Sequence, residues 1–285
     1  IEMALQISNA FVTLFDSEVK QAYQAQRALA GLTRERTNVE GSTVKFPKIG
    51  KGSASVRVPQ TDVVPLNVTY SQVTATMTDY IAAEYSDIFH QQRVNFNERQ
   101  ELVQVVSGAI GRRMDQVIID ALVAASSTGT VAKTVADDGS TGSASNLNVG
   151  KLRAAKKALD AKNVPMEGRT IVLHANNLSA LLGLTSVTSS DFNTVKALVT
   201  GEVDTFLGFK FVTLGDRDEG GLPLSSSDRT VFAFHRDAVG MAIGLNQTSR
   251  VDYIAEKTSF LVASMFSAGS VSIDSDGIVK ITCTE

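Results

Sequence analysis

The sequence has few of the residue types that carry catalysis or bind metal ions. Cys283 is the single cysteine of 285 residues, and only three histidines occur, His90, His174 and His235. One cysteine excludes a disulfide within the chain and disfavours a thiolate metal cluster. Tryptophan is absent, and no run reaches the roughly 18 apolar residues that a membrane-spanning helix needs. A secretory signal consists of a basic stretch followed by an apolar stretch, and this pattern does not occur in the sequence.

The motifs of common enzyme classes are also missing. No Gly-x-Ser-x-Gly, His-Glu-x-x-His or Gly-x-Gly-x-x-Gly pattern occurs. The run Gly50-Lys51-Gly52-Ser53 resembles part of a phosphate-binding loop, but that motif needs glycine where Lys45 stands. His174 and His235 lie in apolar, strand-like segments, where a structural role is more common than that of a general base. We therefore expect no enzyme activity, no cofactor and no metal.

What is present is an ordinary globular composition, 43% hydrophobic and 20% charged, with a net charge of −3. This composition supplies an apolar core and argues against a generally cationic nucleic-acid binder. The length allows one large domain or two of medium size.

The longest predicted element is a helix over residues 95–126. Asn95 and Glu98 have the spacing of a capping box. Apolar residues recur at steps of three and four, which predicts one buried stripe with polar residues such as Asp115 off it. The stripe consists of Val103, Val106, Ile110, Met114, Val117, Ala121 and Ala124. Gly108 and Gly111 weaken this helix. We interpret them as positions at which a neighbouring strand approaches the helix closely.

Two strand-like segments, 43–47 and 66–73, precede this helix and flank a stretch rich in Gly, Ser and Pro. They predict a two-stranded ribbon with a basic, flexible tip. Such a ribbon is marginal by itself in water, so it needs a surface to lie against. Upstream, residues 16–31 have the residues that typically begin and end a helix. This helix would either pack on its own domain or form an arm that lies on another subunit. Residues 80–94 are interpreted as a linker.

Strands and helices alternate after residue 148, which indicates an α/β domain up to residue 230. Helices are predicted at 151–163, 176–182 and 191–199, and strands at 169–174 and 205–213. After residue 230 only strands follow, at 231–235, 238–244, 250–255, 260–273 and 277–283. One sheet of strands cannot cover its own apolar face, so we predict that the long helix covers it. The central domain would then be discontinuous, with residues 148–230 inserted.

This order of elements resembles the major capsid proteins of tailed bacteriophages, which have the Hong-Kong-ninety-seven-type capsid fold. The resemblance spans nearly the whole chain. It is carried by VKFPKIGKGSASVRVPQTDV, ERQELVQVVSGAIGRRMDQVIIDAL, FLGFKFVTLGD, FAFHRDAVGMAIG and SAGSVSIDSDGIVKIT. It implies an α+β fold with an extended β-hairpin loop and a spine helix. The implied parts are an N-terminal arm (1–40), the hairpin loop (41–79), a peripheral domain (80–147 and 231–285) with spine helix 95–126, and an inserted axial domain (148–230).

The resemblance also implies a function. A protein of this family self-assembles into the icosahedral head shell and encloses the packaged double-stranded DNA. Its partners are identical subunits in hexamers and pentamers, with scaffold, portal and decoration proteins, and no membrane. It is located in the virion and assembled in the host bacterial cytoplasm. We predict seven charged inter-subunit contact residues: Lys45, Lys48, Lys51, Arg57, Asp62, Arg112 and Arg113.

Three other interpretations stay open at this point. An encapsulin-like nanocompartment shell has the same fold and a cellular cargo. Another phage structural part, a decoration or tail protein, would not need a spine helix with an inserted α/β domain. An α/β enzyme is disfavoured by the missing catalytic motifs. The long ribbon and the absence of a clear cargo groove favour the phage shell.

Overall fold

The computed structural model describes residues 25–91, 97–127, 129–184, 205–217 and 219–285. Its helices are Ile88–Gln91 (α1), Glu98–Ala124 (α2), Val149–Ala161 (α3) and Ala175–Leu182 (α4). Its first strands are Arg34–Arg36 (β1), Thr43–Ile49 (β2), Tyr70–Thr76 (β3), Thr78–Asp87 (β4), Gly129–Val131 (β5) and Arg169–His174 (β6). The others are Thr205–Phe206 (β7), Phe209–Leu214 (β8), Leu224–Ser225 (β9), Asp228–His235 (β10), Val239–Ile254 (β11), Ser259–Ser272 (β12) and Ile278–Thr284 (β13).

Helix α2 is the long helix that the periodicity predicts, and its 27 residues correspond to roughly 40 Å. It begins at Glu98 rather than at residue 95. The preceding Asn97 makes no side-chain capping hydrogen bond, and Asn95 lies outside the described residues. The carboxylate of Glu98 instead accepts a hydrogen bond from Ser86 Oγ at 2.7 Å. The predicted capping role of Glu98 is therefore replaced by a contact with strand β4.

The burial of α2 is wider than the predicted stripe. Most stripe residues are buried as predicted, although Val103 is half-buried and Ala124 is exposed. Ile118, Ile119 and Leu122 are buried as well, so the second half of the helix is covered on more than one face. The placement of Asp115 off the stripe is wrong, because its side chain is fully buried.

Helix α2 packs on a four-stranded sheet of order β1-β11-β12-β4. Strands β11 and β12 form a long antiparallel hairpin. Strand β4 pairs antiparallel with β12, from Asp87 opposite Ser259 to Thr78 opposite Ala268. The interpretation of residues 80–94 as a linker is therefore wrong for 80–87. The alternation of β4 is hidden in the sequence because its outer face is exposed and carries apolar residues.

A second sheet has the order β5-β13-β10-β6-β8-β7, with β9 added on β10. Its parallel pair β6–β8 belongs to the predicted α/β region. Strands β10 and β13 were predicted to lie under the long helix, but they pair here, β10 with both β6 and β13. The strands after residue 230 are thus divided between two sheets, which corrects the prediction of one closing sheet. The domain boundaries themselves stay a prediction.

Two further predicted helices fall wholly or partly outside the described residues. The helix at 191–199 lies outside them entirely. Of the helix predicted at 16–31, only residues 25–31 are described, and they are not helical. Residues 25–33, called the arm base below, run as irregular chain up to strand β1.

Candidate assembly surfaces

The ribbon predicted upstream of α2 is an antiparallel pair, β2 with β3, running from Thr43 opposite Thr76 to Ile49 opposite Tyr70. These two strands are called the hairpin root, and residues 51–67 between them are called the hairpin tip. The second strand begins four residues later than predicted. In the root, Val44 and Phe46 are buried while the residues between and beside them are exposed.

The buried face of the root packs on the body of the chain. Phe46, with 2% exposure, lies in a separate apolar cluster with Val44, Ala75, Ala242 and Ile273. This cluster is distinct from the main core, which contains α2 and the seven-stranded sheet. The root therefore has the supporting surface that a two-stranded ribbon requires.

Two glycines let the root approach the sheet closely. A Cβ atom on Gly269 of β12 would lie 2.1 Å from the carbonyl oxygen of Thr76. A Cβ atom on Gly240 of β11 would lie 2.9 Å from the ring of Phe46. The absence of side chains at these two positions lets the root rest directly on the sheet backbone.

The hairpin tip is exposed at every residue from 51 to 67. Its sequence is basic, as predicted, but it also carries apolar side chains with large exposed fractions. Val56 is 92% exposed and Val63 is 89% exposed, and Val58, Val64 and Leu66 are exposed as well. Several exposed apolar side chains within one short segment indicate a surface for association.

Ion pairs connect the beginning of the hairpin to the turn between β12 and β13. Lys48 Nζ lies 2.7 Å from Asp274 Oδ1, and Lys51 Nζ lies 3.5 Å from Asp276 Oδ2. Lys162, at the end of α3, shares Asp276 at 3.5 Å. Lys48 and Lys51 thus have acidic partners in their own chain. Their predicted contact with a neighbouring chain stays a prediction.

The other predicted contact residues are placed apart from this turn. Lys45 is exposed on β2, and Arg57 and Asp62 are exposed in the tip. Arg112 Nη1 donates to the carbonyl of residue 25 at 3.4 Å. Arg113 lies 4.8 Å over the Tyr80 ring and 3.8 Å from a carboxylate oxygen of Glu219. Arg112 and Arg113 of α2 therefore contact parts of their own chain.

The outer face of the four-stranded sheet, opposite α2, is a second apolar surface. Ile81 and Met265 are register partners, as are Tyr85 and Leu261. Ile81 is 67% exposed and Tyr85 is 42% exposed. Sequence reasoning missed this surface, because residues 80–94 were interpreted as a linker.

The histidines of the described part have structural contacts. His174 Nδ1 accepts a hydrogen bond from the Asn176 backbone at the start of α4, and His235 Nδ1 does the same for Asp237. His90 has no described side chain. Among the described residues, no group of three potential ligands is placed to hold a metal ion, and no helix is long and apolar enough to cross a membrane.

Charged contacts gather near the end of the chain. Arg229 holds the Glu285 carboxylate at 2.7 and 3.1 Å, and Asn176 donates to it at 3.2 Å. Burial alone would raise the pKa of Glu285, but these hydrogen bonds bring it below its ordinary value. This group of residues joins α4 to β10.

Comparison with known proteins agrees with this architecture. A family model described as phage capsid protein matches residues 7–285. No curated protein matches the chain. Similar solved structures include the head of Helicobacter pylori bacteriophage KHP40, with a TM-score of 0.76 and 11% identity over 99% of this chain and 99% of that one.

Two more phage structures are similar over most of their length. The capsid of cyanophage P-SCSP1u has a TM-score of 0.74 and 17% identity over 96% of this chain and 93% of that one. The structure from Mycobacterium phage Che8 has a TM-score of 0.71 and 19% identity over 96% of this chain and 97% of that one. At these identities the likeness shows the fold, which confirms the predicted α+β capsid fold. Because the family model matches nearly all of the sequence, the chain belongs to the phage capsid protein family and is a major capsid protein that forms the head shell.

Proposed function

We propose that this subunit assembles with identical copies, in hexamers and pentamers, into an icosahedral shell around packaged double-stranded DNA. The observation that carries the proposal is the hairpin tip, where valines up to 92% exposed extend from a root that is packed on the body. Exposed apolar side chains in such number mark a surface that another molecule covers. A second copy supplies that surface, since closed shells repeat one contact many times.

The contact proposed here joins the hairpin tip of one subunit to the outer sheet face of its neighbour. The tip offers apolar and charged side chains, and the outer face offers Ile81 and Tyr85. Arg57 and Asp62 would then form polar contacts at the rim, and Lys45 would reach the neighbour from β2. Lys48 and Lys51 already have partners in their own chain, so they would contribute by fixing the direction of the hairpin.

The remaining partners follow from the same proposal. DNA lies against the inner face without sequence specificity, in keeping with a net charge near zero. Scaffold, portal and decoration proteins complete the particle in the virion, which is assembled in the host bacterial cytoplasm. The subunit works by association and not by catalysis. We also propose that the N-terminal arm, the peripheral domain and the axial domain have the boundaries predicted from the sequence.

Negative-stain microscopy of the purified protein tests this proposal. We expect hollow polyhedral particles from the full chain, and a soluble, folded, unassembled chain after deletion of residues 46–64. A matched pair separates the tip from the fold: Val56→Ser with Val63→Ser in the tip, and Val123→Ser on α2, where the side chain is 45% exposed. The tip variant should lower the particle yield at least about tenfold, because two buried contacts of roughly 1 kcal/mol are lost in every copy.

Two results would contradict the proposal. Normal particles from the deleted chain would show that the hairpin is not an assembly contact. Particles that always contain a cellular enzyme and no DNA, when the protein is made during phage growth, would favour the nanocompartment shell instead.

A further inference from the structure

A buried carboxylate of α2, that of Asp115, binds the arm base. The Asp115 side chain has no exposure to solvent. Its Oδ2 accepts a hydrogen bond from the Ala28 backbone at 2.8 Å, and its Oδ1 accepts one from the Leu29 backbone at 3.1 Å. Leu29 is itself fully buried and belongs to the main core. The carboxylate thus satisfies two backbone donors of an irregular segment that has no strand partner at this point.

The segment between β8 and β9 binds the same carboxylate. Arg217 Nη1 lies 3.0 Å from Asp115 Oδ2, and the Arg217 side chain is 7% exposed. Oδ2 therefore receives a donor from the arm base and a donor from this segment, called the β8–β9 loop below. Hydrogen bonds between charged groups are about twice as strong as neutral ones, so both segments depend on one strong acceptor.

Close backbone contacts bring both segments onto the same two turns of α2. A Cβ atom on Gly111 would lie 3.4 Å from Arg27 Cβ, so the neighbour of this glycine is the arm base rather than the strand predicted from the sequence. A Cβ atom on Gly220, whose φ is +75°, would lie 2.8 Å from the carbonyl oxygen of Arg112. The Gly220 backbone also donates to Gln116 Oε1 at 2.7 Å.

The charges make the two segments depend on each other. Burial raises the pKa of Asp115, and the two backbone donors and Arg217 oppose that rise. If the loop leaves, Asp115 is a buried carboxylate without a counter-charge. If the arm base leaves, Asp115 loses its two backbone donors while Arg217 stays buried. Leaving the buried Asp115 carboxylate without its counter-charge costs about 3–5 kcal/mol, so departure of the loop favours departure of the arm base. Because coupling between two equilibria is reciprocal, departure of the arm base favours departure of the loop.

We propose that Asp115 is a shared anchor that couples the arm base to the β8–β9 loop, so that one leaves α2 only when the other does. The arm precedes the hairpin in the chain, and the loop continues from β8 of the seven-stranded sheet. A displacement of the arm is therefore transmitted to the β8–β9 loop through Asp115. The anchor is a property of the single chain and does not require that a shell forms.

Hydrogen exchange of the full-length, unassembled chain tests the anchor. Asp115→Asn keeps the shape and removes the charge, and Arg217→Gln removes only the loop's side of the ion pair. We expect Arg217→Gln to raise the exchange rates of the Ala28 and Leu29 amides, which Arg217 does not touch, by about tenfold or more, and that of Gly220 with them. Asp115→Asn should raise all three by about a hundredfold.

Exposed residues supply the matched controls, Asp252→Asn for Asp115 and Arg153→Gln for Arg217. Neither should change these amides. Unchanged exchange of Ala28 and Leu29 in Arg217→Gln would overturn the coupling, as would loss of arm-base protection in Asp115→Asn with Gly220 still protected. If Asp115→Asn does not fold, Arg217→Gln alone decides the outcome. Because the readout is taken on single chains, its failure leaves the shell proposal untouched, and the failure of shell assembly leaves the anchor untouched.

Discussion

Phe46 connects the hairpin to the body of the subunit, and its replacement by alanine tests whether the root is a separate unit of stability. The Phe46 side chain is 2% exposed and lies against Gly240, Ala242 and Ile273. Its cluster is separate from the main core. Phe46→Ala should therefore open the root and leave the rest of the chain folded.

The magnitude follows from burial and from the small size of the unit. Removing a buried phenylalanine side chain costs about 3–5 kcal/mol. A two-stranded ribbon has little stability of its own. The free energy lost in Phe46→Ala therefore exceeds the free energy that the pairing of β2 with β3 contributes. At about 1.4 kcal/mol per factor of ten, the open form of the root gains at least roughly a hundredfold in population.

Hydrogen exchange measures this opening at the paired amides of β2 and β3, which run from Thr43 opposite Thr76. In Phe46→Ala these amides should exchange about a hundredfold faster or more, while amides of α2 and β10 keep their rates. The control is Thr43→Ala, an exposed residue on the same strand, which should change little. Particle yield should fall in Phe46→Ala and not in the control.

Two outcomes would refute this reasoning. Unchanged exchange in β2 and β3 would mean that contacts other than the Phe46 cluster hold the root. A lowered melting temperature with uniform acceleration throughout the chain would mean that the root and the main core unfold as one unit.

Three further variants or reagents test other contacts. Charge reversal at Lys51 and Arg57 together should lower particle yield while the monomer melts normally, because exposed ion pairs contribute about 1 kcal/mol or less to the fold; normal particles with unchanged heat resistance would contradict this. Gly269→Ala should push the hairpin root away from β12, since its Cβ would lie 2.1 Å from the carbonyl oxygen of Thr76, and the exchange of root amides should report it. Burial raises the pKa of the Cys283 thiol to about 11 from its ordinary 9.0, so a thiol reagent at pH 8 should label the chain only as fast as it unfolds. Fast labelling of the folded chain would contradict the burial of this thiol. The same pKa shift means that the thiol's contribution to the free energy of unfolding is present below pH 9 and is lost as the pH rises through 11.

Local patterns in the sequence were sufficient for the long helix, for most of the longer strands and for the family. The apolar stripe of α2 and the alternation of β2 depend on neighbours within a few residues, so periodicity reveals them. The strand at 66–73 was placed too early because its β-branched residues extend beyond the paired region, which begins at Tyr70. Strand β4 was missed because Ile81 and Tyr85 face outward, so its pattern lacks a polar face.

The tertiary structure decided which elements meet. The sequence determined that strands follow residue 230, but only long-range pairing divides them between two sheets. Strands β11 and β12 lie under α2, whereas β10 and β13 belong to the sheet that contains β6. Helical spacing placed Asp115 among polar residues, yet it is buried because the arm base and Arg217 close over it. The lysines at the start of the hairpin were predicted as inter-subunit contact residues, and that stays a prediction; their acidic partners within the chain lie more than 200 residues away in sequence. Such contacts have no periodicity to read, since they arise from the packing of distant segments and not from neighbours in the sequence.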